Sequence, residues 1–196
     1  IVEAQVYPAL RNFRGYVASQ YLPRTTKNIA RSALPNGKAW YAALVRLQTT
    51  TTMTPEEIHA IGLAEVKRIR AEMDAIITKT GFHGDFAAFT QFLRTDPRFY
   101  FTQPEDLVSA YRDLCKRIDP ELARLFGRLP LTAYGVRPMD AVSAANLPSG
   151  LYRRPGAATP GWFLVNTYKL DMRPKFEMEA TALHEAVPGH HLQRAL

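Results

Sequence analysis

Hydrophobic residues recur every three or four positions through most of the first 127 residues, which is the spacing of one face of an α-helix. This spacing predicts helices at 2–22, 38–47 and 55–79. Thr54 is the expected N-cap of the longest helix, and Glu57 completes a capping box with it. Pro55 suits its first turn. The face of this helix that we expect to be buried comprises Ile58, Gly62, Val66, Ile69, Met73 and Ile76.

Further along, the helical spacing predicts helices at 85–93 and 104–118, and it is then lost between about 130 and 170. Proline, glycine and aromatic residues become frequent there, and 131–136 and 162–166 have the composition of short strands. Pro174 then opens a last helix. We therefore predict a mainly α fold, a multi-helix bundle with a small antiparallel β-sheet next to the last helix.

The organisation expected from this pattern is a single, truncated domain of 1–196. It comprises a helical region at 1–127, a β and loop region at 128–172, and a motif helix at 173–196.

Composition and charge exclude several classes of protein. The chain has 196 residues, of which 46% are hydrophobic and 22% charged, as in ordinary globular proteins. The net charge of +7 comes from scattered Lys and Arg without a basic stripe, so nucleic-acid binding is not predicted. No apolar run approaches the roughly 20 residues of a transmembrane helix. The single cysteine, Cys115, excludes an internal disulfide, and its helical apolar setting predicts a buried filler.

The segment 183–196, LHEAVPGHHLQRAL, contains three of the five histidines of the chain. His184, His190 and His191 are candidate metal ligands, because neutral imidazole nitrogen binds zinc well. Glu185 directly follows the first histidine. A carboxylate beside a metal can take a proton from water, so Glu185 is the candidate general base.

The spacing of these histidines differs from that of the zinc motif H-E-x-x-H, in which the two histidines lie four residues apart. An ideal helix, at about 100° per residue, places His191 near the face of His184 and His190 about 120° away. Pro188 and Gly189 interrupt such a helix. We predict a local unwinding that turns one later histidine toward His184, and the residues alone leave His190 and His191 both open.

Three segments carry a resemblance to a known family. They are GWFLVNTYKLDMRPKFEMEATALHEAVPGHHLQ (161–193), TTTTMTPEEIHAIGLAEVKRI (49–69) and GKAWY (37–41). Together they closely resemble the bacterial domain of unknown function 885 family. The resemblance implies a mostly helical metallopeptidase of the zincin type, related to the helical metallocarboxypeptidases and oligopeptidases, of which this chain is a fragment.

The family motif H-E-x-x-P-G-H-x-x-Q implies a role for each matching residue. His184 and His190 would be the metal ligands, Glu185 the base and Gln193 a supporting polar residue. The resemblance also implies a third ligand, a carboxylate from a Glu-Gly-Trp segment downstream of Leu196. We therefore expect the 196-residue chain alone to be inactive. Many members are exported or lipid-anchored, which implies an exported or periplasmic location.

The function expected from motif and resemblance is zinc-dependent peptide hydrolysis by a metal-activated water, with one zinc ion in the full-length protein and a peptide as substrate. His191, Asn166 and Tyr168 are candidate supporting or substrate-contacting residues; for Asn166 and Tyr168, turn polarity and packing are the alternative. A zinc amidase or esterase would use the same residues. A non-catalytic helical interaction module with a decayed metal site is the other alternative. The sequence does not indicate the oligomeric state.

Overall fold

A computed structural model describes all residues, 1–196, and it is mainly α-helical with one small β-sheet. The helices are α1 (Tyr7–Tyr16), α2 (Gly37–Thr49), α3 (Pro55–Lys79), α4 (Phe86–Thr95), α5 (Pro104–Ile118), α6 (Leu122–Leu125), α7 (Ala141–Ala144), α8 (Met178–Glu185) and α9 (His190–Ala195). The strands are β1 (Tyr134–Pro138), β2 (Gly150–Arg153) and β3 (Gly161–Val165). The π-helical segments Val2–Val6 and Val17–Tyr21 flank α1, and 3₁₀ turns lie at Leu22–Arg24, Arg31–Ala33, Pro97–Phe99, Asp119–Glu121, Leu170–Met172 and Lys175–Glu177.

The chain divides into two compact units, Ile1–Met73 and Asp74–Leu196, where a single domain was expected. The first unit contains α1, α2 and most of α3. The helices predicted there are confirmed, and α3 has the predicted bounds. Its start is fixed locally: the Thr54 backbone N–H donates to Glu57 Oε2 at 2.7 Å, and the Glu57 N–H donates to Thr54 Oγ1 at 3.2 Å.

The burial predicted for one face of α3 is wrong. Val66, Ile69 and Met73 are 67%, 40% and 43% exposed, and in this helix only Ile77 is buried. Helical periodicity identifies residues that share a face, whereas burial depends on what packs against that face. None of the helices, α3 included, is long and apolar enough to cross a membrane.

The second unit contains the sheet, whose strand order is β1-β3-β2. The predicted mainly α fold with a small sheet is confirmed, but the sheet is mixed rather than antiparallel. Strands β2 and β3 are antiparallel, whereas β1 and β3 are parallel. The connection between β1 and β3 contains α7 and β2, and so long a crossover allows the two strands to run in the same direction. Strand β2 was not predicted, since it is only four residues long and begins with glycine.

Helices α5 and α8 pack on the sheet and form the main core. Phe163 and Val165 of β3 are fully buried, and the Phe163 ring meets the Tyr111 ring edge-on at 5.0 Å. The buried residues that α5 and α8 contribute to this core are Leu107, Val108, Tyr111, Cys115, Met178 and Ala182. Met178 and Ala182 are one helical turn apart, so they lie on the same side of α8 and fix that side against the core. The predicted burial of Cys115 is confirmed.

Candidate metal centre

Three side chains of the terminal motif come together in space: His184, Glu185 and His190, called here the candidate cluster. Each offers one ligand atom, and these atoms lie within 4.8 Å of one another. His184 and Glu185 lie in the last turn of α8, and His190 is the first residue of α9. The two imidazole rings meet edge-on, with centroids 4.9 Å apart. The arrangement leaves the imidazoles and the carboxylate close enough to share one cation.

A break between α8 and α9 creates this arrangement. Ala186 has φ −99° and ψ −103°, and Gly189 has φ −53° and ψ −122°, so neither residue continues the helix. The Gly189 N–H donates to the Leu183 carbonyl at 2.9 Å. A Cβ atom at position 189 would overlap the carbonyl oxygen of His184. The unwinding predicted from Pro188 and Gly189 is therefore confirmed. The close approach of residue 189 to the His184 carbonyl requires glycine.

The Glu185 side chain is largely buried, with 16% of it accessible, whereas that of His184 is 69% accessible. Its Oε1 lies 4.0 Å from His184 Nε2, and its Oε2 is buried without a hydrogen-bond partner. A buried carboxylate oxygen without a partner is costly, and a cation bound beside it would remove that cost. Gly150 of β2 makes room for this side chain, because a Cβ there would lie 2.9 Å from Glu185 Cγ.

An open cavity of about 380 Å³ lies directly beside the candidate cluster. The residues that line it are Pro148, Ser149, Gly150, Ala180, Thr181, His184 and Glu185. One wall is therefore the start of β2 and the other is the outer face of α8. His184 is 69% exposed on its side chain, so the cluster is open to solvent on this side.

Gln193 orients the second imidazole of the cluster. Its Oε1 lies 2.9 Å from His190 Nδ1. An amide oxygen only accepts, so Nδ1 carries the proton and Nε2 keeps its lone pair. The residues lie three apart on α9, which places them on the same face of that helix. The family motif gave Gln193 a supporting role, and this hydrogen bond is a physical basis for it.

His191 points away from the candidate cluster. It is only 4% exposed, its Nδ1 lies 2.7 Å from the Tyr152 hydroxyl, and its ring lies against Tyr134 at a centroid distance of 4.8 Å. Burial lowers the pKa of His191, although a hydrogen bond with the Thr132 backbone opposes this. The ring that meets His184 therefore belongs to His190. The ideal helical wheel favoured His191 because it ignored the break before α9.

Asn166 and Tyr168 lie on the segment that follows β3. The Asn166 side chain is fully buried, and its amide nitrogen lies within 2.8 to 3.0 Å of the carbonyl oxygens of Ala144, Leu147 and Pro148. Its Oδ1 accepts from the Tyr168 N–H at 2.9 Å. This environment fits the packing alternative for Asn166. Its side chain fixes the loop before β2 by hydrogen bonds to the backbone of that loop. Tyr168 is 43% exposed, and the Lys169 ammonium lies over its ring.

Two residues around the centre, Gly150 and Tyr152, were not predicted from the sequence. Both lie on β2, and alternate residues of a strand share a face. The sequence Gly150-Leu151-Tyr152-Arg153 gave no such signal, because its apolar Leu151 is on the exposed face. Leu151 and Arg153 are exposed, whereas Gly150 is buried and Tyr152 half-buried.

Comparisons with known proteins identify a family and a solved structure to which the chain is similar. Residues 1–196 match the family described as "Bacterial protein of unknown function (DUF885)". The chain is also similar to a crystal structure described as the "putative lipoprotein from Colwellia psychrerythraea", with 27% sequence identity and a TM-score of 0.86. The similarity covers 99% of this chain and 34% of that one, so the chain spans about a third of the length of that protein. No curated protein matches the chain.

Proposed function

The chain belongs to the bacterial family DUF885, and from this membership and the geometry of the site we propose that it hydrolyses peptide bonds with the help of one zinc ion. His184 and His190 would hold the zinc, and Glu185 would act as general base. The observation that carries this proposal is the candidate cluster, in which two imidazoles meet a buried carboxylate oxygen that lacks a partner.

The two ligands fit zinc better than magnesium or calcium. Imidazole nitrogen is a usual ligand of catalytic zinc, whereas magnesium and calcium prefer oxygen ligands alone. The hydrogen bond from His190 Nδ1 to Gln193 leaves Nε2 available as the ligand atom. Such a partner on the second ring nitrogen is the usual way in which proteins orient a zinc-binding histidine.

Zinc, when bound, would lower the pKa of water and polarise the carbonyl group of the substrate. Glu185 would take a proton from the attacking water and pass it to the nitrogen of the leaving amine. Its largely buried side chain packs against Gly150, and both residues line the cavity that would receive the substrate. The base and the substrate site therefore adjoin each other.

The position of β2 favours a peptide over a small amide or ester as substrate. This strand is at the edge of the sheet, and its first residue, Gly150, lines the cavity. An edge strand presents unpaired backbone N–H and C=O groups, which can pair with an extended peptide chain. A small amide or ester would leave those groups unused.

Four variants of the full-length protein test the assigned roles by metal analysis and rates of peptide hydrolysis. Glu185→Gln should keep the zinc while hydrolysis falls by about two orders of magnitude or more, which is the usual effect of losing a general base. His184→Ala and His190→Ala should lose both zinc and hydrolysis. His59→Ala is the matched control, because His59 is an exposed histidine of α3 outside the candidate cluster.

The same experiment separates the alternatives. Loss of zinc in Glu185→Gln would show that Glu185 is a ligand and not the base. Hydrolysis of esters or simple amides but not of peptides would identify an amidase or esterase. Bound zinc without hydrolysis of any of these substrates would favour the non-catalytic interaction module.

We also propose that the protein acts outside the cytoplasm. The support is the crystal structure to which it is similar, which is described as that of a "putative lipoprotein". Cell fractionation followed by immunodetection tests this proposal, and recovery in the cytoplasmic fraction alone would refute it.

A further inference from the structure

His191 is held from two sides by residues of the sheet, Tyr152 and Tyr134, which form what we call the His191 clamp. The Tyr152 hydroxyl lies 2.7 Å from its Nδ1, and the Tyr134 ring packs against its face at 4.8 Å. Only 4% of His191 is exposed, so water does not replace these contacts.

The clamp is built on parts of the fold that are themselves fixed. Tyr152 lies on β2 opposite Phe163 of β3, which is fully buried. Tyr134 lies on β1, and its hydroxyl donates to Asp119 Oδ1 at 2.7 Å. The pKa of Tyr134 is raised by burial and by its Asp119 partner, so its hydroxyl keeps its proton as donor.

Gly161 provides the space in which Tyr152 and His191 meet. A Cβ at position 161 would overlap the Tyr152 hydroxyl and lie 3.0 Å from His191 Nδ1. Gly161 begins β3 and is buried, so its backbone cannot easily move aside. The hydrogen bond between Tyr152 and His191 thus depends on the absence of a side chain at this position.

Helix α9 needs such an anchor because it has only six residues. A helix of that length is not stable by itself in water, and its position follows from tertiary contacts. His191 and Leu192 are its buried residues. His190 precedes His191 directly, so a fixed position for His191 restricts where the His190 ring can lie.

We propose that Tyr152, acting through His191, is a positioning residue that holds His190 against His184 in the metal centre. The expected effect of Tyr152 on zinc binding rests on the proposed function. Its effect on the position of His190 does not require a metal. The Tyr152 ring also lies near the His190 ring, with centroids 6.4 Å apart. The clamp and the candidate cluster are therefore neighbouring parts of one structure.

Zinc affinity of the full-length protein, measured by competition with a chelator, tests the consequence. Tyr152→Phe keeps the ring and removes only the hydroxyl, and we expect zinc to bind about tenfold more weakly, at the lower end of the effects found for residues that support metal ligands. If the hydroxyl acts through His191, Tyr152→Phe should have no further effect in a His191→Ala background. His191→Asn, which keeps an acceptor near the place of Nδ1, should bind zinc more tightly than His191→Ala.

The matched control is Tyr100→Phe, because the Tyr100 hydroxyl also makes one partly buried hydrogen bond, to the Leu93 carbonyl at 2.9 Å. It should leave zinc affinity unchanged. Equal losses in Tyr152→Phe and Tyr100→Phe would overturn the proposal, since they would reflect general stability. Additive effects of Tyr152→Phe and His191→Ala would also overturn it.

A second measurement does not require metal. In the metal-free protein, nuclear Overhauser effects between the His184 and His190 rings report the 4.9 Å approach of their centroids. They should weaken in Tyr152→Phe and in Gly161→Ala and persist in Tyr100→Phe. Persistence in all three variants would refute the positioning role whatever the zinc result. Loss only in the first two, in a protein that binds no zinc, would support positioning and refute the proposed function.

Discussion

Replacing Gly189 with alanine tests how the chain brings His190 to His184. A Cβ at position 189 would overlap the His184 carbonyl oxygen and lie 2.5 Å from the Leu183 carbonyl oxygen. Both are backbone atoms, so neither can rotate away as a flexible side chain would. The Gly189 N–H also donates to the Leu183 carbonyl at 2.9 Å, and any shift that relieves the overlap lengthens this bond.

The size of the effect follows from the kind of overlap. Insertion of a methyl group that forces a backbone shift costs about 1–3 kcal/mol. Each kcal/mol lowers the melting temperature by about 2–4 °C for a cooperative unit of about 150–250 residues, so the part of the protein that contains α8 and α9 should melt about 2–12 °C lower in Gly189→Ala. The shift would move α9 and with it His190. Because zinc–nitrogen bonds are only about 2.0–2.1 Å long, we also expect a loss of zinc affinity of about tenfold or more.

Thermal unfolding followed by circular dichroism and zinc competition on the full-length protein measure the two effects. Gly127→Ala is the matched control, because a Cβ at that exposed glycine would have no atom within 4 Å. The control should change neither quantity. If Gly189→Ala melts within about 1 °C of the parent protein and binds zinc equally well, the path between α8 and α9 described above is wrong.

Two further predictions concern buried groups of the second unit. Asn166→Ala would leave the carbonyls of Ala144, Leu147 and Pro148 without their donor, so the free energy of unfolding in urea should fall by about 1–3 kcal/mol; unchanged stability with reduced hydrolysis would instead indicate a substrate contact. Burial raises the pKa of Cys115 from 9.0 to about 11. At pH 8 its thiolate fraction should be about a hundredfold below that of an ordinary thiol, and iodoacetamide should modify it only after unfolding. Rapid modification of the folded protein would contradict this.

Features that depend on residues close together in the chain were predictable. Helix α3 starts where the Thr54 and Glu57 side chains cap it, and both groups lie within one turn of each other. Helix α5 likewise begins at Pro104, a residue suited to a first turn. The motif also supplied the two imidazoles and the carboxylate that meet in the candidate cluster, and metal binding by this cluster stays a prediction.

Which histidine meets His184 was decided in three dimensions. Periodicity assumes one regular helix, but the dihedral angles of Ala186 and Gly189 end α8 and begin α9 in a new direction. This backbone conformation places His191 against Tyr152 and Tyr134 and places His190 beside His184. The family motif reached the same residue without the geometry that explains it.

By itself, the sequence determined the longer helices, the cap of α3 and the chemical groups of the candidate cluster, because these depend on neighbours a few residues away. Only the tertiary structure decided the parallel pairing of β1 with β3, the exposure of the apolar face of α3 and the contact between Tyr152 and His191. The last contact joins residues 39 positions apart. Such contacts depend on how whole helices and strands pack, and local patterns along the chain do not predict that packing.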